Sequence, residues 1–251
     1  DTLTSPTTYV KFWAVNSDET ASPNQMDDVD GTMFVMDGNS AATNCMLISG
    51  SGRHYRAFTN FEFKNSTSDC VTHSAAAVKG HLYHGCKFDN GGGQGFDALG
   101  TTAGNVWIQC TFSNNTSHGL FRPDDATVMF CAMIGNGGTG FEDTTASLAT
   151  VIFNFCHANT LNGMVQGGSS KFHFNTCDGN TLAGIKSSFG CAMLFNRLTS
   201  NGTYGIDVPV GTENFIEGFN AFFSNTSGEV DTGTVYYSMG GNTSMAGGGY
   251  T

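Results

Sequence analysis

Short apolar runs recur along this chain, each cut off by Asn, Gly, Ser or Thr: Val128-Met129-Phe130, Val151-Ile152-Phe153, Phe172-His173-Phe174 and Met193-Leu194-Phe195. None reaches the length of a helix, so the pattern predicts short strands separated by tight corners. The punctuation between the runs is regular. Asn115, Asn136, Asn159, Asn180 and Asn201 each stand four residues before a glycine (Gly119, Gly140, Gly163, Gly184, Gly205) and recur every 21 to 23 residues. Each of these glycines is followed by an apolar residue: Leu120, Phe141, Met164, Ile185 and Ile206. A second register runs five residues ahead, as Asn154, Asn175, Asn196 and Asn220, with Cys110 and Cys131 in the same place earlier. Three residues before the first register stand Phe112, Met133, Cys156, Cys177, Leu198 and Phe222.

A fixed period with fixed chemistry at fixed offsets predicts a solenoid, and a period this short accommodates about three strands of four or five residues per turn. Asn tolerates, and Gly freely adopts, the left-handed backbone of a tight corner, so these two residues are expected to make the bends. The pattern resembles the right-handed parallel β-helix of the pectin-lyase-like superfamily, which includes pectate lyases, polygalacturonases and phage tailspikes. The resemblance covers roughly Gly31 to Val230. It implies an all-β fold, a right-handed parallel β-helix with turns of about 21–25 residues and Asn ladders at the corners. Residues 1–30 are expected to form an N-terminal cap or a fragment of a preceding region, 31–230 the β-helix, and 231–251 a Gly-rich C-terminal cap or linker. In the early turns Asn65 and Asp69 take the Asn–Gly spacing with Asp in place of Gly. Asn90 to Gly95 carries one residue more than the standard, which reads as an enlarged loop.

Composition narrows the partners. A net charge of −11, with Lys and Arg totalling 10, excludes nucleic acid and anionic membrane surfaces, which would require a basic face. No stretch approaches the roughly 18 apolar residues of a membrane span. Asp27, Asp28, Asp30 and Gly31 form only part of a calcium loop, so no metal or cofactor is expected. Cys86, Cys110 and Cys131 share one column of the repeat, and Cys156 and Cys177 share another. Stacking on successive turns suits a disulfide poorly, so these are expected to be buried thiols, as in a protein folded in a reducing compartment.

The second residue after each repeat glycine should face outward. That column reads Asp97, Phe121, Glu142, Val165, Lys186 and Asp207. Asp97 and Glu142, two turns and roughly 9–10 Å apart by strand spacing, are candidate catalytic acids, together with Asp124 and Asp125 just beyond. Carboxylates at about this separation suit an inverting glycosidase. Phe121 and Asp143 are the candidate substrate-binding residues, the ring offering a sugar a flat surface. The alternative reading makes the same acids solubilising surface groups. Lys186 and Asp207 read as a surface ion pair, and His118 and His157 as ordinary surface residues. The resemblance implies a tailspike-like virion appendage that binds, and has acids placed to hydrolyse, a surface polysaccharide. A free extracellular polysaccharide-degrading enzyme of the same fold and a purely structural shaft are the alternatives. Consecutive apolar residues such as Val128-Met129-Phe130 must leave an apolar face outside, whether the Phe column points inward or outward. With tailspikes in view, that implies a homotrimer with this strand at the interface.

Overall fold

The structure, a computed structural model, describes residues 34–38, 40–48, 56–73, 80–98, 104–144, 148–188, 190–208, 215–232, 236–238 and 240–245. The expected cap at 1–30 lies outside the described residues. Every described strand belongs to one of three sheets: sheet A with ten strands, and sheets B and C with nine each. The chain visits them in rotation. Thr111–Ser113 lies in A, Leu120–Phe121 in B, Thr127–Met129 in C, and Ala132–Ile134 returns to A. All pairings between successive turns are parallel, so the fold is an all-β parallel solenoid. The stack continues into the segment expected to be a cap or linker. Tyr236–Ser238 pairs with Phe215–Gly218, and Thr243–Met245 pairs with Ala221–Phe223.

Equal register from turn to turn turns the sequence repeat into columns. Phe112, Met133, Cys156, Cys177, Leu198 and Phe222 line the interior of sheet A. Leu120, Phe141, Met164, Ile185 and Ile206 line sheet B, and Val128, Val151, Phe172 and Met193 line sheet C. The early turns fill the same space with rings, Phe58 on Tyr83 at 5.0 Å and Tyr83 on Trp107 at 5.6 Å. Each such side chain contributes about 1.5–3 kcal/mol by leaving water.

The two Asn registers form ladders inside two corners. Asn115, Asn136, Asn159, Asn180, Asn201 and Asn225 are linked Nδ2 to Oδ1 at 2.9–3.0 Å. Asn154, Asn175, Asn196 and Asn220 are linked likewise at 3.1–3.2 Å. Each Nδ2 also donates to a carbonyl of the preceding turn, as Asn159 does to Met133 and Asn154 to Val128. The cysteines that replace Asn in the early turns keep this bond. The thiols of Cys110 and Cys131 point at the carbonyls of Tyr83 and Trp107. All eight cysteines are free.

The ladder asparagines are not the left-handed residues. That conformation falls one position earlier, at Asn114, Ala158 and Ser200 and at Gly135 and Gly179. A ladder Asn must turn its amide inward to meet its neighbours, so the residue before it makes the bend. This also corrects the early register. Gly91, whose N–H donates to Asn115 Oδ1 at 2.9 Å, holds the ladder position, and Asn90 is the left-handed residue. Gly91 to Gly95 then has the standard spacing and nothing is inserted there. By the same shift Asp69 aligns with Gln94 and His118, one residue ahead of the glycine column.

The orientation of the apolar runs resolves as follows. Val128, Val151, Phe172 and Met193 point inward; Met129, Ile152, His173 and Leu194 point outward. The phenylalanines that follow take the left-handed bend and lie outside as well.

Candidate functional site

Sheet B carries the outward column as expected. Asp97 pairs with Phe121, Phe121 with Glu142, then Val165, Lys186 and Asp207 follow in register. Lys186 and Asp207 meet at 3.6 Å. The first three turns of the column hold the chemistry, because Arg122, His118 and Asp69, none of them a sequence candidate for the site, join it.

Arg122 is the first. Its left-handed backbone turns the side chain outward, and Nε and Nη2 donate to the two oxygens of Asp97 at 3.2 and 2.6 Å. The planar fork matches the carboxylate, and Asp97 is only 7% exposed beneath it. The guanidinium carbon also lies 4.7 Å from the Phe121 ring centroid. His118 is the second. Its ring stacks on Phe121, with centroids 4.7 Å apart and planes 10° apart. Its Nδ1 accepts the Thr139 N–H at 3.1 Å and faces Glu142 Oε2 at 3.2 Å. Burial holds this imidazole below its ordinary value of 6.5, against the pull of the Glu142 and Asp97 carboxylates. A proton arriving on Nδ1 would turn the Glu142 contact into a charge-assisted hydrogen bond and release Thr139, so the pair is built to respond to a proton.

Asp69 is the third. It is buried, accepting the Gln94 N–H at 2.8 Å and the Thr72 hydroxyl at 2.9 Å. Burial pushes its carboxyl above the usual range. The Gln94 and Thr72 donors oppose this, the nearby Asp97 reinforces it and Arg122 opposes it. The cluster thus spans four turns: Asp69 on the first, Asp97 on the second, His118, Phe121 and Arg122 on the third, and Glu142 on the fourth.

The other candidates fall elsewhere. Asp143 was expected to touch substrate, but alternation places it inside, fully buried, where Oδ2 accepts the Ser170 hydroxyl at 3.3 Å. Asp125 is exposed and uses Oδ1 to accept the Leu148 N–H at 3.0 Å, while Asp124 is half-buried on the same bend. Asp97 was expected to be exposed and is covered by Arg122. Phe121 is engaged by a cation and an imidazole rather than left bare. His157 stacks on Phe155 and meets Asp178 at 3.2 Å, a surface arrangement, whereas His118 belongs to the cluster. The sequence signal for His118 was its place in the residue column of Asp69, which the misaligned early register hid. Among the described residues no group of His, Cys, Asp and Glu is arranged to hold a metal ion.

No protein-family model and no curated protein matches the chain. Among solved structures it is similar to the crystal structure of the Agl-KA catalytic domain, with a TM-score of 0.56 at 11% identity over 81% of this chain. The chain spans 45% of that domain's length. At this identity the likeness shows the fold alone.

Proposed function

We propose that the chain binds a polysaccharide along the exterior of sheet B and hydrolyses it there, with Glu142 and Asp97 as the acting carboxylates. The observation that carries this reading is the placement of two acids, a guanidinium, an imidazole and an aromatic ring on consecutive turns of one exposed sheet. The next three turns carry only Val165 and the ion pair of Lys186 and Asp207 in that column. The two turns between Asp97 and Glu142 give roughly 9–10 Å, near the spacing at which one acid protonates the leaving oxygen and the other activates water. Arg122 and His118 orient their carboxylates, and their remaining N–H groups suit sugar hydroxyls. The fold shared with a catalytic domain supports an enzymatic use, though the chemistry rests on the residues here.

A tailspike-like virion appendage, assembled as a homotrimer, is the proposed setting. Eight free thiols suit a chain folded in a reducing compartment before release, and a free extracellular enzyme of the same fold is the alternative setting. Incubation with a panel of capsular and plant polysaccharides, followed for new reducing ends, tests the reading. Activity on one polymer that Glu142→Gln and Asp97→Asn each reduce by about 100-fold or more supports it. Cleavage unchanged in both variants moves the site off sheet B, and no binding to any polymer overturns the proposal.

A further inference from the structure

The corner between sheets C and A carries five phenylalanines in one column: Phe130, Phe153, Phe174, Phe195 and Phe219. Their rings stack continuously, with centroids 5.0–5.2 Å apart and planes within 3–15° of parallel. All five are exposed, by 44–54%. All five also hold the left-handed backbone conformation, with φ between 54° and 59°.

Neither property is required by the corner. In the earlier turns the same bend is made by Asn60, Gly85 and Gln109, and after Phe219 by Gly241. The equivalent bend between sheets A and B uses Asn65, Asn90, Asn114, Ala158, Ser200 and small neighbours, with no aromatic residue. A bulky side chain at positive φ is strained, and an exposed ring is poorly solvated, so five successive phenylalanines work against both local preferences. Stacking alone recovers only part of this.

The ladder's geometry limits what can cover it. The three inner rings each have a neighbour on both faces, so only ring edges point outward, and a sugar finds no free face on which to pack. The sheet C flank is mostly apolar, with half-buried Met129, Ile152 and Leu194 around His173, and on the sheet A flank Ala132, Phe155 and Ala221 stand in one column with Thr176 and Arg197. Charge is sparse in a chain of net charge −11. On the described outward positions of sheet C from Thr127 to Gly218, and of sheet A from Ala132 to Phe223, the one acid is Asp178. It faces His157, and Lys171 and Arg197 add positive charge.

We propose that this ladder is a self-docking surface, covered by the same corner of a second copy of the chain. A ladder with one ring per turn is matched best by another surface with the same pitch, and the second copy supplies it. The mutual repulsion of two acidic chains is least where acids are absent. Half-exposed rings give about 100 Å² each, so the five and their apolar flanks approach the roughly 800 Å² per partner of a stable interface. This gives the assembly part of the reading above its surface. It does not depend on the sugar site, which lies on sheet B.

The test is sedimentation velocity of the full chain between about 1 and 100 μM, compared with Phe153→Asn/Phe174→Asn. Asn already makes this bend at Asn60, so the variant should fold, and circular dichroism and thermal melting check that it does. Concentration-dependent association of the parent, weakened about tenfold or more in a folded variant, supports the proposal. A parent that stays monomeric at the highest concentration overturns it, leaving the ladder to a different partner while polysaccharide assays still stand. A folded variant that associates as tightly as the parent overturns it as well. Should the double variant melt early, Phe174→Asn alone carries the same comparison.

Discussion

Replacing Arg122 by Met keeps an apolar stem over Phe121 and removes the two hydrogen bonds that hold Asp97. The carboxylate then stays beside Asp69, nearly buried, without its cation. Breaking a buried ion pair from one side costs about 3–5 kcal/mol. The Arg122 side chain is 30% exposed, so water reaches part of the vacated space and about 2–3 kcal/mol is expected. That corresponds to roughly 5–10 °C in melting temperature for a chain of this size. Asp97→Asn should cost less, because a neutral amide tolerates the site, and the double variant should be little worse than Arg122→Met alone. The cycle therefore predicts a coupling of about 1.5–2.5 kcal/mol, read from urea unfolding and checked by amide exchange on the strands flanking Asp97. The pH dependence adds a second handle. Without Arg122 the two carboxylates repel each other when both are ionised, so the loss should be larger at pH 7 than at pH 4.5. A coupling below about 0.5 kcal/mol, or a loss independent of pH, would show that the pair is a solvated surface contact and remove the pre-organised acid from the proposed mechanism.

Asn159→Ala should cost about 3–6 kcal/mol. It removes one donor from the Met133 carbonyl and strands the backbone N–H and one side-chain N–H of Asn136 in the interior, whereas Asn225→Ala breaks the equivalent bonds to Leu198 and Asn201 where they are only part-buried, so water replaces them and the loss should be about half as much. Equal losses at the two sites in urea unfolding would mean the ladder is not the unit of stability. Stability should fall as pH drops through 6.5, since burial holds His73, His118 and His173 below that value in the fold and the unfolded chain takes up protons first. Each contributes up to about 1.4 kcal/mol per pH unit within its window, and a flat profile from pH 7.5 to 5 is the contrary result. Alkylation of the native protein at neutral pH should label Cys45 first. The Cys70 thiol beside it brings its pKa to about 7, whereas burial or a neighbouring thiol raises Cys70, Cys86, Cys110, Cys156 and Cys191. All eight should react after unfolding without reductant, and six or more blocked thiols would contradict the free-cysteine structure.

The columns were legible in the sequence because parallel strands in equal register make every turn a copy of the last. Phe112, Met133 and Cys156 sit where the repeat put them for that reason, and so does the outward set beginning at Asp97. What the repeat could not show was which residue of a corner bends. Asn is frequent both at the bend and in the ladder, and Asn90 and Asn65 were aligned one residue off in consequence. That single shift hid Asp69 beneath the position of a missing glycine and detached His118 from its neighbours. Arg122 was hidden differently. Strand alternation would turn it inward with Asp143, and only its left-handed backbone brings the guanidinium out over Phe121 and onto Asp97. Periodicity gives the direction of a side chain only while the strand persists, and this strand ends at Phe121.

The same limit explains the phenylalanine ladder, and the two features bear on each other through the cross-section of the solenoid. The phenylalanine corner joins sheets C and A, and sheet B takes no part in it. Copies joined at that corner would leave sheet B, and with it each Asp97–Glu142 cluster, outside the contact and open to a long polymer. A polysaccharide with many identical repeats could then engage more than one face, and linked sites gain affinity from effective concentration without any new contact. If both proposals hold, Phe153→Asn/Phe174→Asn should bind short oligosaccharides as the parent does, yet lose about tenfold or more on a long polymer. Equal losses on short and long ligands would instead place the ladder in the sugar site itself, and no loss on either would separate assembly from binding altogether.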